Sequence, residues 1–258
     1  MNERVVKYEQ RDAIAIITIY RPHAMNSFNA QLRGELLAAF ESAAGDESVR
    51  VVVLTGEGRS FSAGADLKVL SNDKDVEETL QTEYRPIIEA IAGMRQPVIA
   101  AVGGSAAGIG MSYALACDLL IMADDAFLLS PFTTISLVPD GGLSWLLVHQ
   151  LGYRRAFQLS VESERIGADR CVELGLANKA VPAESLMNEA LEWAEALAER
   201  APLSVAATKK TMRFAAASDW ARTFDTEAAA QSALRASADH AEGVAAFLEK
   251  RKANFEGR

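Results

Sequence analysis

Three glycine-bearing loops hold the residues whose types and spacing could do chemistry. The first, GEGRSFSAGADL, spans residues 56–67 and follows an apolar run. Around Ala63, Gly64 and Ala65 no side chain is large enough to block the backbone, so such a loop can aim a peptide N–H at a ligand oxygen. The second, GGSAAGIG, spans residues 103–110. It opens a helix at Gly108 or Ile109, and a helix start offers unsatisfied N–H groups and a positive dipole end, which suit an anion or an enolate-like oxygen. The third, SLVPDGGLSWLL, sets Asp140 at the start of a helix over Leu143–Leu151. A carboxylate among apolar neighbours is a candidate acid/base, its pKa rising with burial. Each loop also has a plain structural reading: a tight strand-to-helix connection for the first two, and a helix N-cap for Asp66 and Asp140. Neither glycine loop has the G-x-G-x-x-G spacing of a dinucleotide fingerprint or a P-loop lysine.

These loops need elements to hold them, and the chain supplies a regular alternation. Ile14–Tyr20, Arg50–Thr55, Val98–Val102 and Leu119–Met122 are continuous apolar, β-branched runs suited to buried strands. Helical spacing over Ala30–Ala44 lies between the first two. Strands separated by helices predict right-handed crossovers and a mainly parallel sheet. Past residue 183 the pattern is helical throughout: Glu184–Arg200, Leu203–Ala217, Asp219–Ala238 and Ala241–Lys250. The predicted organisation is therefore a core over residues 1–183 and a C-terminal helical region over residues 184–258.

Composition narrows the function classes. The chain of 258 residues is 50% hydrophobic and 24% charged with a formal charge of −9, which disfavours nucleic acid and anionic membranes as partners. Its two cysteines form no C-x-x-C pair and its three histidines no cluster, so no metal site is expected and both thiols are expected reduced. The uncharged stretch Val98–Cys117 is long enough for a membrane span, but Gly103-Gly104 in its middle predicts shorter elements instead. The charged start MNERVVKYEQRD lacks an apolar signal core, and a cytoplasmic location is expected.

The motifs RPHAMNSFN, FSAGADL, PVIAAVGGSAAGIG with ALACD, and LVPDGG closely resemble the crotonase, or enoyl-CoA hydratase/isomerase, superfamily. GADRCVELGLANKAVP and FLEKRKANF resemble its later signatures, in the same order. The resemblance implies an α/β fold, a spiral core of repeated ββα units with a C-terminal helical layer used in trimerisation, and hence a homotrimer or dimer of trimers. It implies an acyl-CoA thioester substrate, with CoA part of the substrate and no separate cofactor. By motif position, the N–H groups of Ala65 and Ile109 would polarise the thioester carbonyl. Ala24, Ser62, Ala63, Gly64, Asp66, Leu67, Gly108 and Phe132 would line the substrate.

The same positions depart from the hydratases, which use two glutamates to hold a water. Here those positions are Ser112 and Phe132, and neither is a carboxylate. What remains is Asp140, as in the family's single-acid isomerases, including those acting on phenylacetate-derived ring-opened or epoxide CoA esters. The expectation is a 1,3-proton shift on an enoyl-CoA through Asp140. A 2-enoyl-CoA hydratase is the alternative within the family, and a non-catalytic acyl-CoA-binding subunit the alternative outside enzymes. Ser112 could at most orient a water. His149 is expected packed or solvated, and Trp145 and Phe132 to line an acyl pocket or the core. Lys209, Lys210, Arg213 and Lys250-Arg251-Lys252 are expected on solvated helix faces, or else on the CoA phosphates. The segment from Ser71 to Tyr84 reads as a polar, acidic pocket entrance.

Overall fold

A computed structural model describes residues 3–68 and 75–258. Residues 71–74 of the acidic entrance segment therefore lie outside the described residues. The hairpin of β1 (Val6–Arg11) and β2 (Ile14–Ile19) opens the chain, and α1 (Ala30–Gly45) returns to β3 (Val51–Gly56) and the short β4 (Ser60–Ser62). Helices α2 (Val76–Thr79) and α3 (Arg85–Gly93) lead to β5 (Val98–Val102), β6 (Ser105–Ala107) and α4 (Ile109–Ala116). Then come β7 (Leu119–Ala123), β8 (Phe127–Leu129), α5 (Leu143–Leu151) and α6 (Tyr153–Glu162). β9 (Ile166–Gly167), α7 (Ala168–Glu173) and β10 (Lys179–Val181) complete the core. Four helices follow: α8 (Leu186–Ala198), α9 (Pro202–Ala215), α10 (Trp220–Arg235) and α11 (Ala238–Glu249).

Two sheets share these strands. One runs β1-β2-β3-β5-β7-β10 and the other β4-β6-β8-β9. From β3 onward each turn of chain lays one strand in each sheet, β3 then β4, β5 then β6, β7 then β8, which is the expected ββα spiral. The larger sheet is parallel apart from the β1–β2 hairpin. Its central strands are covered on both faces, which is why Val51–Leu54 and Val98–Val102 read as unbroken apolar runs. Val98–Cys117 resolves into β5, β6 and the wholly buried α4, and no helix among the described residues is long and apolar enough to cross a membrane.

Four strand positions match the sequence reading to within a residue or two. β1 escaped it because VKYEQR buries only Val6. β4, β6 and β8 have three residues each, too few to show a period. The long helix expected from Glu184 is a 3₁₀ turn at Ala183–Ser185 followed by α8.

α8 packs across β3, β5 and β7, burying Leu186, Ala190 and Ala194. α9 is fastened by charge. Lys209 is buried, donating to the carbonyls of Ile91 (2.7 Å) and Gln96 (2.8 Å) and pairing with Asp118 (2.8 Å). Arg213 pairs with the other oxygen of Asp118 at 2.7 Å and donates to the Ala116 carbonyl. The other Asp118 contact, from the Val98 N–H at 2.9 Å, ties this cluster to β5. Lys209 and Arg213 are thus neither solvated nor free for a phosphate, a correction to both readings of them. Truncating Lys209 to alanine removes one partner of a buried pair and strands two carbonyls; the expected loss is roughly 3 kcal/mol, measured as a lowered urea midpoint.

Candidate active site

The loop after β4 is built on the turn before α1. Pro22–Ala24 form one 3₁₀ turn, and Met25 and Asn26 then take left-handed backbone angles, with φ of 53° and 56°. Asn26 tolerates that conformation and is wholly buried. Its amide donates to the carbonyls of Glu57 (3.0 Å) and Ser60 (2.6 Å), and its oxygen accepts the Arg21 N–H at 2.8 Å. The Ala63 N–H donates to the Met25 carbonyl, and the Ser62 hydroxyl donates to the Asn26 carbonyl while accepting the Gly64 N–H. Arg21 reaches over to the Asp66 carboxylate at 3.1 Å. The segment RPHAMNSFN is the anchor of the first loop.

That anchoring leaves one donor over. Phe28 bridges Ala65, its N–H donating to the Gly64 carbonyl (2.8 Å) and its carbonyl accepting the Asp66 N–H (3.0 Å). The residues flanking Ala65 are therefore satisfied, while the N–H of Ala65 itself points to the other side and has no acceptor among the described residues. Asp66 caps no helix within the described residues; its carboxylate takes Arg21 and, at 3.3 Å, the Lys68 N–H. Leu67 is exposed beside it.

The second loop leaves a matching donor. Gly108, with φ of 55°, is the N-cap of α4; its N–H donates to Leu129 and its carbonyl accepts from Met111 and Ser112. Ile109 is the first residue of the helix, and its N–H has no acceptor among the described residues. The two loops touch at their glycines. A Cβ at Gly64 (φ +96°) would lie 2.9 Å from the Ala107 carbonyl oxygen, and one at Gly108 would lie 3.7 Å from Gly64 Cα. Both unsatisfied N–H groups therefore belong to the residue directly after one of two glycines in contact.

The third loop lies on the first turn of α4. A Cβ at Gly141 would sit 2.2 Å from Ile109 Cδ1 and 3.0 Å from Ser112 Cβ. Gly142, at φ 76°, takes the N-cap position of α5, and no side chain caps that helix. Asp140 is therefore not an N-cap, contrary to the structural reading of it. Its carboxyl oxygen Oδ1 is shielded from solvent and has no hydrogen-bond partner among the described residues. Burial pushes its pKa up to about 6. The Asp140 charge is felt by the phenols of Tyr84 and Tyr113, which pack with Phe28 behind the first two loops. Ser112 is buried and its hydroxyl donates to the Asp140 carbonyl at 3.0 Å, so it is not open to hold a water. Phe132 is buried too, with its ring tip facing Gly108.

Two peptide donors beside a carboxyl that is ionised just above pH 6 can polarise a carbonyl and move a proton on an adjacent carbon. A sequence model described as enoyl-CoA hydratase/isomerase matches residues 9–258. The chain belongs to the enoyl-CoA hydratase/isomerase family. It is 39% identical, over the whole of both chains, to a probable enoyl-CoA hydratase of Rhodobacter capsulatus. To the 1,2-epoxyphenylacetyl-CoA isomerase of Escherichia coli it is 32% identical, again over both full lengths. The crystal structure of an enoyl-CoA hydratase from Bacillus anthracis superposes with a TM-score of 0.94 at 31% identity, covering 98% of this chain and 100% of that one.

Of the family-derived site residues, Ser62, Ala63, Gly64, Ala65, Gly108, Ile109, Phe132 and Asp140 come together at the three loops, and Ala24 lies in the turn that anchors the first. Sequence reasoning missed Asn26, although asparagine is the type that tolerates a left-handed angle in a turn. The remaining candidates lie apart. His149 is exposed, its Nδ1 2.8 Å from the Trp145 carbonyl and its ring 4.0 Å from the Trp145 indole. Trp145 is half-exposed, not core; it borders a cleft of about 1110 Å³ between α5 and α9. Arg251 is held by Glu242 and Glu249, and Lys252 by Glu199, whereas Lys210 and Lys250 are exposed. Both cysteines are free, and no group of metal-ligating side chains occurs among the described residues.

A proline at position 109 isolates one donor. The first helical position tolerates proline, and the N–H it removes has no partner in the protein. Ile109→Ala loses the same side-chain packing but keeps the N–H. Steady-state kinetics on the native substrate should show Ile109→Pro slower than Ile109→Ala by about 10²–10³ in kcat, the usual worth of an oxyanion donor.

Proposed function

We propose that this protein is an enoyl-CoA isomerase that moves a double bond by a 1,3-proton transfer through Asp140. The observation that carries this reading is the state of the carboxyls around the three loops. Asp140 is half-buried, its Oδ1 enclosed and without a hydrogen-bond partner among the described residues, while Asp66 is engaged by Arg21 and positions 112 and 132 hold a serine and a phenylalanine. In a 3-enoyl-CoA, the thioester oxygen accepts the N–H groups of Ala65 and Ile109. The Asp140 carboxylate takes a proton from C2, and the electron pair moves through the carbonyl as a dienolate. The same carboxyl then returns the proton to C4, leaving the double bond conjugated at C2–C3 and Asp140 ionised for the next turnover. One reversible base suffices; no second acid is required.

A second reading, addition of water to a 2-enoyl-CoA, is favoured by the name of the Rhodobacter relative. It needs a held water, yet the Ser112 hydroxyl is committed to a carbonyl and Phe132 has no polar atom, so Asp140 alone would have to hold it. The family resemblance also carries a trimer. Trp220, Phe224, Phe247 and Leu248 are exposed on α10 and α11 and are apolar surface that self-association would bury. A mass measurement in solution tests it.

Conjugation of a 3-enoyl-CoA, followed by ultraviolet absorbance, is the direct assay. Asp140→Asn should lower kcat by about 10²–10⁴, the usual share of a general base, with CoA-ester binding retained. Loss of absorbance from a 2-enoyl-CoA, with no conjugation of the 3-enoyl ester, would assign the hydratase, and silence in both would overturn the isomerase and leave another reaction of the family or a binding-only role. The ionised form is the working form, so kcat/KM of the native chain should rise with pH through about 6 and level above it.

Stability should run the other way. A carboxyl whose folded pKa is raised costs nothing while protonated in both states, at about pH 3 and below, and costs most once it is ionised in both, above about 6. Asp140→Asn should therefore match the native chain in urea at about pH 3 and exceed it at pH 7, by up to about 3 kcal/mol from the pKa displacement at 1.36 kcal/mol per unit.

A further inference from the structure

The base and the oxyanion donors sit on different loops, and their relative position decides whether one proton can reach both C2 and C4. Ile109 supplies its N–H from the first position of α4, and Asp140 stands on the loop before α5. Ser112, one turn into α4, is wholly buried and its hydroxyl donates to the Asp140 carbonyl at 3.0 Å. The same helix turn meets Gly141, where any Cβ would collide with Ile109 Cδ1 and press on Ser112. Oδ1 of the Asp140 carboxyl has no hydrogen-bond partner among the described residues, and the tie to α4 runs through the Asp140 main chain. We infer that Ser112 is a positioning residue, whose hydroxyl ties the main chain of Asp140 to the helix turn that carries the Ile109 donor.

The chemistry of the tie explains the residue type. A hydroxyl can donate to a carbonyl, whereas an ionised carboxylate is acceptor-only and would repel it. A glutamate at position 112 therefore breaks the registration of Asp140 instead of adding a second acid to the site. Because the tie reaches the main chain and not the carboxyl, it leaves Oδ1 of Asp140 unpartnered among the described residues and the base strong enough to take a carbon-bound proton. A displacement of about 1 Å at a reacting group can lower a rate about 10²-fold, so a hydroxyl that never touches substrate can govern kcat.

This inference rests on the isomerase reading, and the native chain tests that reading first. Ser112→Ala removes the donor, Ser112→Cys keeps the shape but donates weakly, and Ser112→Thr restores a hydroxyl. Conjugation of a 3-enoyl-CoA is measured from pH 5 to 8 for each, beside urea unfolding. Both Ala and Cys variants should lose about 10–100-fold in kcat with KM within about twofold. Their acidic limb should move below about 6 as the loop admits water to Asp140, and the threonine variant should recover most of both. If the cysteine variant keeps native kcat and limb, or the alanine variant loses only stability, Ser112 is structural and the inference fails. A native chain that moves no double bond overturns the isomerase reading and this inference with it. A native chain that does so, with an equally fast Ser112→Ala, overturns this inference alone.

Discussion

Two main-chain N–H groups without acceptors among the described residues, at Ala65 and Ile109, are the constraint around which this structure is arranged. Buried peptide donors are almost always paired, and leaving one unpaired costs about 1–3 kcal/mol. Here the neighbours on either side of Ala65 are satisfied, Gly64 by Ser62 and Asp66 by Phe28, and around Ile109 so are Gly108 by Leu129 and Met111 and Ser112 by Gly108. The saturation around them fixes their direction. It depends on Gly64 and Gly108 in contact, on a left-handed Asn26 holding two carbonyls, and on the β4–β6–β8 ladder that brings the loops side by side.

Asp140 presents the same trade in a charged group. Oδ1 of its carboxyl is enclosed without a hydrogen bond among the described residues, and burial raises its pKa and makes it a better base than a solvated aspartate. The fold carries that cost from elsewhere: the dense apolar centre around β3, β5 and β7, and the Asp118–Lys209–Arg213 cluster that clamps α9 onto it.

The framework was legible in the sequence because burial on both faces leaves an unmistakable pattern. Val51–Leu54 and Val98–Val102 are apolar without interruption, and the C-terminal helices repeat at helical spacing. The loops were legible by residue type: small residues where backbone must approach, and one aspartate amid apolar neighbours. Asn26, Lys209 and Arg213 were not legible in their roles. Their bonds run to carbonyls and carboxylates distant in sequence, Ser60 for Asn26, Ile91 and Asp118 for Lys209, and no local spacing records such a pairing.

What the sequence by itself determined is the family, the alternation of strands and helices, and the residue types of the three loops, with an aspartate at 140, a serine at 112 and a phenylalanine at 132. These are properties of residue type and local period. Only the tertiary structure decided that Asp140 caps nothing, that Ser112 is spent on its carbonyl, and that Ala65 and Ile109 are the donors left over. Whether a polar group is free or engaged depends on which distant backbone arrives beside it, and that is settled when the loops pack against one another.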